Sequence, residues 1–229
     1  MEWTVGHWQI SVQRIYPTNE QLSQMYNTAA PRWHRLIDRL GVRHAYAQLF
    51  QSLHQSGVMT HLKDGSRICD CGIGTGAFSL ALVKILRSNL QVTGVDISSE
   101  MLDQAQWFLR QAGINPTLCI SDVNTLPFQT NSFDLVISAH MLEHLSDPVK
   151  GLKEMVRVLR PDSPLILVVT RPGLLNHWIQ WHWGNSCFSS QELTKIMVEA
   201  GLINVHSYPL TVGLSQWTSI ARVGFKPSL

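Results

Sequence analysis

A glycine-rich turn is the feature of this sequence that is most able to do chemistry. An apolar run at residues 68–71 carries an acid, Asp70, and is followed by Gly72, Gly74 and Gly76 before an apolar helical pattern begins. Glycine allows the backbone to come close to a ligand without a clash at Cβ. The N–H groups at the start of a helix then offer donors to a negatively charged group. The pattern therefore predicts a strand, a tight turn and a helix that hold a nucleotide-like ligand.

The spacing of these glycines is compatible with two classes of ligand. Gly72-x-Gly74-x-x-Ala77 fits the dinucleotide fingerprint, whereas Gly72-x-Gly74-x-Gly76 is typical of a loop that binds a nucleoside. A carboxylate downstream favours the nucleoside. Asp96 ends a second predicted strand, about 20 residues after the last glycine, where it can accept hydrogen bonds from both hydroxyls of a ribose.

A third acid and two apolar residues complete the predicted adenosyl site. Asp122 follows the third predicted strand, where its carboxylate can accept a hydrogen bond from an adenine amino group. Ile97 and Val123 are placed to sandwich the adenine ring. Two plainer interpretations stay open, because an Asp at this position also suits a turn cap and both apolar residues also suit a core.

The order of the motifs resembles a known family. A fourth predicted strand at 133–138, a histidine-rich segment at 140–148, a helix and a fifth strand ending at Thr170 follow the acids. Over residues 64–170 the chain is similar to the class I S-adenosylmethionine-dependent methyltransferases, in particular to the small-molecule branch that includes quinone-ring methylases. The resemblance implies S-adenosyl-L-methionine as the cofactor, with Asp70 orienting the loop and the methionine ammonium. The implied cofactor-binding residues are Tyr26, Asp70, Gly72, Gly74, Gly76, Asp96, Ile97, Met101, Asp122, Val123 and Ser138.

The histidines after the fourth strand have more than one interpretation. His140, Glu143 and His144 spell the inverted zinc-protease motif, in which both histidines bind zinc and the glutamate is a general base. Asp147 and Pro148 leave room for only a short helix, and the resembled family carries a similar Glu-His pair here, so we expect no metal. His140 or His144 is instead placed to take a proton from the acceptor. A histidine that packs or binds the cofactor backbone is the alternative, and the sequence does not choose between them.

Three tryptophans follow the fifth strand. Trp178, Trp181 and Trp183 lie in an insertion at residues 172–187, where the strand and helix alternation stops. They suit the lining of a pocket for an aromatic or lipid-like acceptor. Core packing or a dimer contact is the competing interpretation. Insertions after the fifth strand lie over the catalytic edge in the resembled fold, which favours the pocket.

The elements that position these residues alternate between strand and helix. This alternation predicts an α/β fold with a Rossmann-like, mostly parallel sheet of seven strands, helices on both faces and an antiparallel edge strand. We expect one methyltransferase domain over 1–229, with a helical N-terminal cap (1–60) and a cofactor-binding core (64–170). A substrate-side insertion (171–188) and a C-terminal helix with an edge hairpin (189–229) complete it.

The cap is predicted to contain three helices. Asn19 begins the first, Pro31 begins a second at residues 33–40, and a third covers residues 46–53. In the resembled family such a cap folds over the cofactor, with a tyrosine near the methionine end, a role that Tyr26 fits. An amphipathic helix packed on the sheet explains Tyr26 equally well.

Composition narrows the function further. Only 15% of the 229 residues are charged, 45% are hydrophobic and the net charge is +2 without a basic cluster. Nucleic acid is therefore not the expected partner, because phosphate neutralisation needs a basic stripe. The charge-poor composition favours apolar substrates, a partner surface or peripheral contact with lipid. We expect no transmembrane helix, no signal peptide, a cytoplasmic location and a monomer or homodimer.

These observations predict an enzyme that moves a methyl group to an oxygen or carbon of a small apolar or aromatic acceptor, such as a quinone, a phenol or a specialised metabolite. A nicotinamide-dependent oxidoreductase would use the same glycine loop, but it would not need Asp122 or the Glu143-His144 pair. A protein that binds the adenosyl cofactor without turnover is the other alternative.

Overall fold

The structure is a computed structural model that describes residues 2–5, 8–11, 17–86, 88–173 and 186–228. Two short strands come first, β1 (Glu2–Val5) and β2 (Trp8–Ser11). The main sheet contains β3 (Arg67–Cys71), β4 (Gln91–Asp96), β5 (Thr117–Ile120), β6 (Leu135–Ala139), β7 (Pro164–Thr170), β8 (Ile203–Tyr208) and β9 (Ser219–Phe225). The helices are α1 (Asn19–Arg39), α2 (Val42–Gln55), α3 (Ala77–Leu86), α4 (Ser99–Gln111), α5 (Pro148–Val158), α6 (Ser190–Glu199) and the single turn α7 (Ser215–Thr218).

The main sheet has seven strands in the order β5-β4-β3-β6-β7-β9-β8. The first five of these are parallel, whereas β9 runs antiparallel to both β7 and β8. The predicted fold class is therefore confirmed, with the antiparallel hairpin β8–β9 at one edge. The strand order reverses beside β3, so the chain leaves β3 and β6 in opposite directions and a crevice forms at their carboxyl ends.

Both faces of the sheet are buried under helices. On one face Ile68 and Ile166 pack with Phe50 of α2 and Phe78 of α3. On the other face Cys69 and Cys71 pack in an apolar cluster with α5 and α6. The two cysteines share a face because side chains alternate along a strand. Their Sγ atoms are 3.7 Å apart and neither is in a disulfide, so both cysteines act as small buried hydrophobes.

Two helices, rather than the predicted three, follow β1 and β2. α1 continues through Pro31, and Asn19 is its first helical residue. Its N-cap is Thr18, whose hydroxyl accepts from the backbone N–H of Gln21 and whose backbone N–H donates to the side chain of Gln21. Proline removes one backbone hydrogen bond from a helix. The helix nevertheless continues because Ala30 and Ile37 are buried on the face that packs on the protein, where α1 lies against α4. Tertiary packing outweighs the local signal for a break.

Two further differences from the predicted cap concern the first strands and the start of α2. β1 and β2 form an antiparallel pair that the sequence analysis did not predict, so the N-terminal cap is not wholly helical. α2 begins at Val42, four residues before its predicted start, because Gly41 adopts a left-handed conformation (φ 71°) that turns the chain. The tryptophans Trp178, Trp181 and Trp183 lie outside the described residues. Within the described ranges, no helix combines the length and the apolar character that a membrane span requires.

Candidate functional site

The glycine-rich loop between β3 and α3 forms one wall of a cavity of about 330 Å³. Gly72, Gly74 and Gly76 all have positive φ angles of 74°, 53° and 80°. A Cβ at Gly72 would lie 2.4 Å from Cγ of Met141, so a side chain there is excluded by packing as well as by φ. Gly74 has no neighbour within 4 Å of its Cβ position and lines the cavity. Its open backbone leaves room for a ligand.

Asp96 joins the loop to the end of β4. Its Oδ2 accepts a hydrogen bond from the backbone N–H of Gly74 at 2.9 Å, and its Oδ1 accepts one from the N–H of Ser98 at 3.0 Å. Burial raises the pKa of this carboxyl, and the backbone donors oppose that effect. Each carboxylate oxygen has a further lone pair. Asp96 lines the cavity and can therefore still accept hydrogen bonds from a diol, as predicted for a ribose.

Asp70 lies behind the loop and is not part of the cavity wall. The hydroxyl of Ser79 donates to its Oδ2 at 2.7 Å, which ties the end of β3 to the first turns of α3. The other oxygen, Oδ1, is buried and has no hydrogen-bond partner within the described residues. Burial raises the pKa of Asp70 to about 7. An orphaned carboxylate oxygen is costly in a low-dielectric interior, so it fits a site that a cationic donor completes.

Asp122 has two roles in the structure. Its Oδ1 accepts from the backbone N–H and the side-chain amide of Asn124, which caps the turn Val123–Thr125. Its Oδ2 accepts from the side-chain amide of Asn19 at 2.8 Å. An amide NH₂ presents the same kind of donor as an exocyclic amine. Asp122 is thus a turn cap, as the plainer interpretation proposed, and also an acceptor on the cavity wall.

The apolar candidates divide between the wall and the interior. Ile97, Met101 and Val123 line the cavity beside Asp96 and Asp122. Ser138 does not reach it, because its hydroxyl donates to the carbonyl of Cys71 at 2.7 Å and the residue is buried in the sheet. Its side chain braces the glycine loop from behind.

His140 follows β6 in a left-handed conformation (φ 55°) and lines the same cavity. Its Nδ1 is 3.0 Å from Oε1 of Glu143 and 3.2 Å from Oγ1 of Thr170, and its Nε2 is 3.4 Å from Oγ of Ser219. Glu143 is fully buried and also accepts from the backbone N–H of Thr170 at 2.7 Å. A carboxylate at Nδ1 favours the tautomer that has its proton there. Nε2 is then the nitrogen that can accept a proton.

The pKa of Glu143 reflects two opposing effects. Burial raises it, whereas the hydrogen bond and the charge of His140 lower it, and the net result lies below the usual value. Glu143 is therefore an ionised carboxylate beside the imidazole of His140.

His144 contacts helix α1 of the N-terminal cap through Tyr26. Its Nε2 is 2.6 Å from the hydroxyl of Tyr26, and the two rings meet edge to face. Trp33 of α1 contacts the other edge of Tyr26, with ring centroids 6.1 Å apart. Burial raises the pKa of Tyr26, so its phenol stays neutral. α1 thereby closes one side of the cavity, and Tyr26 lies on its wall. Its place beside a ligand stays a prediction.

The inverted zinc motif does not form a metal site in the described structure. Leu142–His144 is a single 3₁₀ turn, so the two histidines do not project from one face of a helix. His140 is bonded to Glu143 and His144 to Tyr26. No group of three or more possible metal ligands comes together among the residues described.

Several residues on the cavity wall or directly behind it had no motif in the sequence. His34 of α1 is within 3.4 Å of the hydroxyl of Thr75 in the glycine loop and stacks on Phe108. Thr170 and Ser219 approach His140 from the ends of β7 and β9. The amphipathic pattern of α1 was visible in the sequence, but its orientation depends on packing. The ends of β7 and β9 become neighbours only through the antiparallel pairing that closes the sheet.

Comparison with known proteins gives the family. Residues 69–167 match a family model described as a methyltransferase domain. The demethylmenaquinone methyltransferase of Lactiplantibacillus plantarum is 29% identical over 192 residues, which cover 80% of this chain and 74% of that protein. The ubiquinone/menaquinone biosynthesis C-methyltransferase UbiE of Bdellovibrio bacteriovorus is 29% identical, over 66% of this chain and 63% of its own length.

Solved structures agree on the fold. The [4+2]-cyclase SpnF superposes with a TM-score of 0.69 at 19% identity, covering 93% of this chain and 98% of SpnF. Phosphoethanolamine N-methyltransferase 2 of Haemonchus contortus, in complex with S-adenosyl-L-methionine, has a TM-score of 0.62 at 18% identity and covers 85% of this chain and 60% of its own. Residues 69–167 therefore match a methyltransferase domain, and the chain is similar in sequence and in fold to class I S-adenosylmethionine-dependent methyltransferases.

Proposed function

We propose that this enzyme transfers a methyl group from S-adenosyl-L-methionine to a carbon or oxygen of a neutral, apolar aromatic acceptor of the quinol class, with His140 as general base. One observation carries the proposal. A single cavity joins the glycine loop, Asp96 and Asp122 to an apolar region that contains His140, whose Nδ1 is bonded to Glu143 behind the wall.

The cofactor end fits an adenosyl group. Asp96 would hold the ribose hydroxyls and Asp122 the adenine amine. The orphaned oxygen of Asp70, which lies behind the glycine loop, would attract the methionine ammonium across the loop. Ile97 and Val123 would pack against the adenine ring. Hydrogen-bond donors of the ligand would thus meet carboxylate oxygens that can still accept a hydrogen bond. In Asp122, the ligand amine would take the place of the side-chain amide of Asn19.

The acceptor end favours an apolar molecule. Apart from Asp96 and Asp122 at the cofactor end, no Asp, Glu, Lys or Arg side chain lines the described cavity. A phosphorylated acceptor would need Lys or Arg on this wall, since unpaired charges are costly to bury. The apolar lining here includes Trp33, Leu36, Ile37, Leu40, Tyr46 and Leu214. The acceptors in the names of the menaquinone methyltransferase relatives match this chemistry.

His140 supplies the proton transfer. S-adenosyl-L-methionine, when bound, offers an electrophilic methyl group whose bond to sulfur breaks with both electrons left on sulfur. Nε2 of His140 would take the proton of an acceptor hydroxyl, which raises the electron density on that oxygen and on the ring carbons. Glu143 would hold the resulting imidazolium in place. General base catalysis of this kind typically contributes about 10²–10⁴ in rate, and alignment of the reactants contributes the rest.

Calorimetric binding of S-adenosyl-L-methionine and S-adenosyl-L-homocysteine, with NADH as control ligand, tests the cofactor. We expect adenosyl binding that Asp96→Ala weakens by about 10²-fold or more, because the variant loses the ribose acceptor and leaves two backbone N–H groups unpaired. Asp103→Ala, an exposed acid on α4, is the matched control and should bind normally. Binding of NADH instead would contradict the proposal.

Methylation of reduced quinones and phenols, followed by mass spectrometry, tests the reaction. We expect a mass increase of one methyl group on a quinol and none on a phosphorylated amine. Adenosyl binding without transfer to any acceptor of a broad panel would favour a binding protein without turnover.

A further inference from the structure

The cavity opens to solvent through an apolar rim. Leu36, Leu40 and Leu214 line the cavity, yet they are 44%, 38% and 48% exposed. The two sides of the opening are in contact, since a Cβ at Gly213 would lie 3.1 Å from the carbonyl oxygen of Leu40. Trp217 is 66% exposed on the adjoining turn α7. Large apolar side chains therefore surround the entrance to the acceptor end, and we call these four residues the cavity rim.

Basic side chains flank the rim on α1. Arg32, Arg35 and Arg39 are exposed, and at about 100° per residue they occupy a sector roughly 60° wide that adjoins Leu36. The acidic residues of α1, Glu20 and Asp38, lie roughly 160° from Leu36 around the helix. Around the circumference of α1, the buried face is therefore followed first by the exposed leucines and then by the arginines. We call the leucines and arginines the α1 stripe.

The opposite bank of the opening carries no charge. Residues 209–218 contain no Asp, Glu, Lys or Arg. This bank and the α1 stripe together present exposed apolar side chains and three arginines. Neither of them contributes a carboxylate. Exposed apolar patches mark interaction sites, and a helix of this pattern is typical of binding to an anionic lipid surface.

We propose that the cavity rim and the α1 arginines dock on a bilayer that contains anionic lipids, with the cavity mouth facing the hydrocarbon. Leucines and tryptophan would enter the interfacial layer, and the arginines would contact lipid phosphates. An apolar acceptor could then reach His140 without crossing water. The docking surface is independent of the acceptor, whereas its use for acceptor delivery rests on the proposed function.

Co-sedimentation with vesicles tests the surface. We expect the full chain to bind vesicles of phosphatidylcholine mixed with phosphatidylglycerol far more tightly than vesicles of phosphatidylcholine alone, and to lose that preference at high salt. The triple variant R32Q/R35Q/R39Q should bind the anionic vesicles about 10²-fold more weakly, since each basic residue near such a surface contributes roughly a factor of five. Trp217→Ser should weaken binding by about tenfold.

Exposed residues elsewhere provide matched controls. Arg110→Gln and Trp107→Ser change an exposed arginine and an exposed tryptophan on α4, and should leave vesicle binding unchanged. Thermal unfolding and adenosyl calorimetry show whether each variant folds and binds its cofactor. Equal loss of vesicle binding in the rim variants and the controls would overturn the docking proposal.

Two further outcomes would also overturn it while leaving the proposed function intact. The first is quinol methylation in solution without any vesicle binding by the native chain. The second is a dimer in sedimentation velocity that Trp217→Ser dissociates, because the rim would then be a protein interface.

Discussion

The two ends of the cavity are built in different ways. At the cofactor end, Asp70 and Asp96 lie at the ends of β3 and β4, the glycines follow β3 and Asp122 follows β5. Backbone N–H groups hold the carboxylates of Asp96 and Asp122. At the acceptor end, the contacts join distant parts of the chain. Tyr26 meets His144 across 118 positions of sequence, and Ser219 meets His140 across 79. The cofactor end thus rests mostly on local motifs, with the contact of Asn19 to Asp122 as a long-range exception, whereas the acceptor end depends more on tertiary packing.

This difference separates two properties that an enzyme of this class needs. On the proposed function the glycine loop would hold the cofactor, while α1, α7 and the start of β9, which line the acceptor end, would select the acceptor. SpnF has the same fold and is described as a cyclase, so the fold alone does not define the reaction. Experiments can therefore change one end of the cavity and ask whether the other end responds.

The largest expected effect is at the acceptor end. His140→Asn keeps a residue that tolerates the left-handed conformation but removes the base. We expect kcat to fall about 10²–10⁴-fold with adenosyl affinity unchanged, because the proton acceptor is lost and the cofactor contacts are retained. Steady-state kinetics and calorimetry measure the two quantities. His54→Ala, an exposed histidine on α2, is the control; a raised KM at unchanged kcat would show that His140 only binds the acceptor.

The next effect is on folding at the cofactor end. Gly72→Ala should lower the free energy of unfolding by about 3 kcal/mol, because its Cβ would overlap Met141 and its φ is positive. Gly113→Ala has a similar φ of 79° but no neighbour within 4 Å, so we expect about 1 kcal/mol. Urea unfolding of both variants measures the difference. Equal losses would mean that the contact with Met141 relaxes freely.

The smallest expected effect is a dependence of stability and cofactor affinity on pH, caused by the titration of Asp70. Its pKa is raised from 3.8 to about 7 by burial. The folded state therefore binds a proton more readily, and the resulting stabilisation is fully present below pH 3.8 and is lost as the pH rises through about 7. Adenosyl binding has the opposite trend, because the ammonium prefers the ionised carboxylate. Affinity should rise about tenfold between roughly pH 6 and 8.

Calorimetry across this pH range, in buffers of different ionisation enthalpy, measures both the affinity and the protons released. Asp70→Asn keeps an acceptor for Ser79 but cannot ionise, so its affinity should be lower at high pH and nearly independent of pH. A native pH profile in Asp70→Asn would assign the titration to another group, such as Asp96.

The sequence allowed much of the cofactor end to be predicted. Local patterns predicted the strand ends, the glycine spacing and the acids at or just after the ends of β3, β4 and β5. The structure places Asp96, Ile97, Met101 and Asp122 on one cavity wall. The acceptor end was predicted less well. Nothing in the sequence indicated that Glu143 fixes the tautomer of His140 or that Asn19 donates to Asp122. The roles of Trp178, Trp181 and Trp183, the domain boundaries and the cytoplasmic location stay predictions.

The sequence by itself determined the order along the chain of the main-sheet strands and the helices between them, the left-handed turn of the glycine loop and the acids beside it, because these depend on side-chain periodicity and on conformations of a few adjacent residues. Only the tertiary structure decided that α1 runs through Pro31, that Tyr26 reaches His144 and that β9 inserts between β7 and β8. Such contacts join residues far apart in sequence, and their free energies come from burial in one common core, which no local pattern specifies.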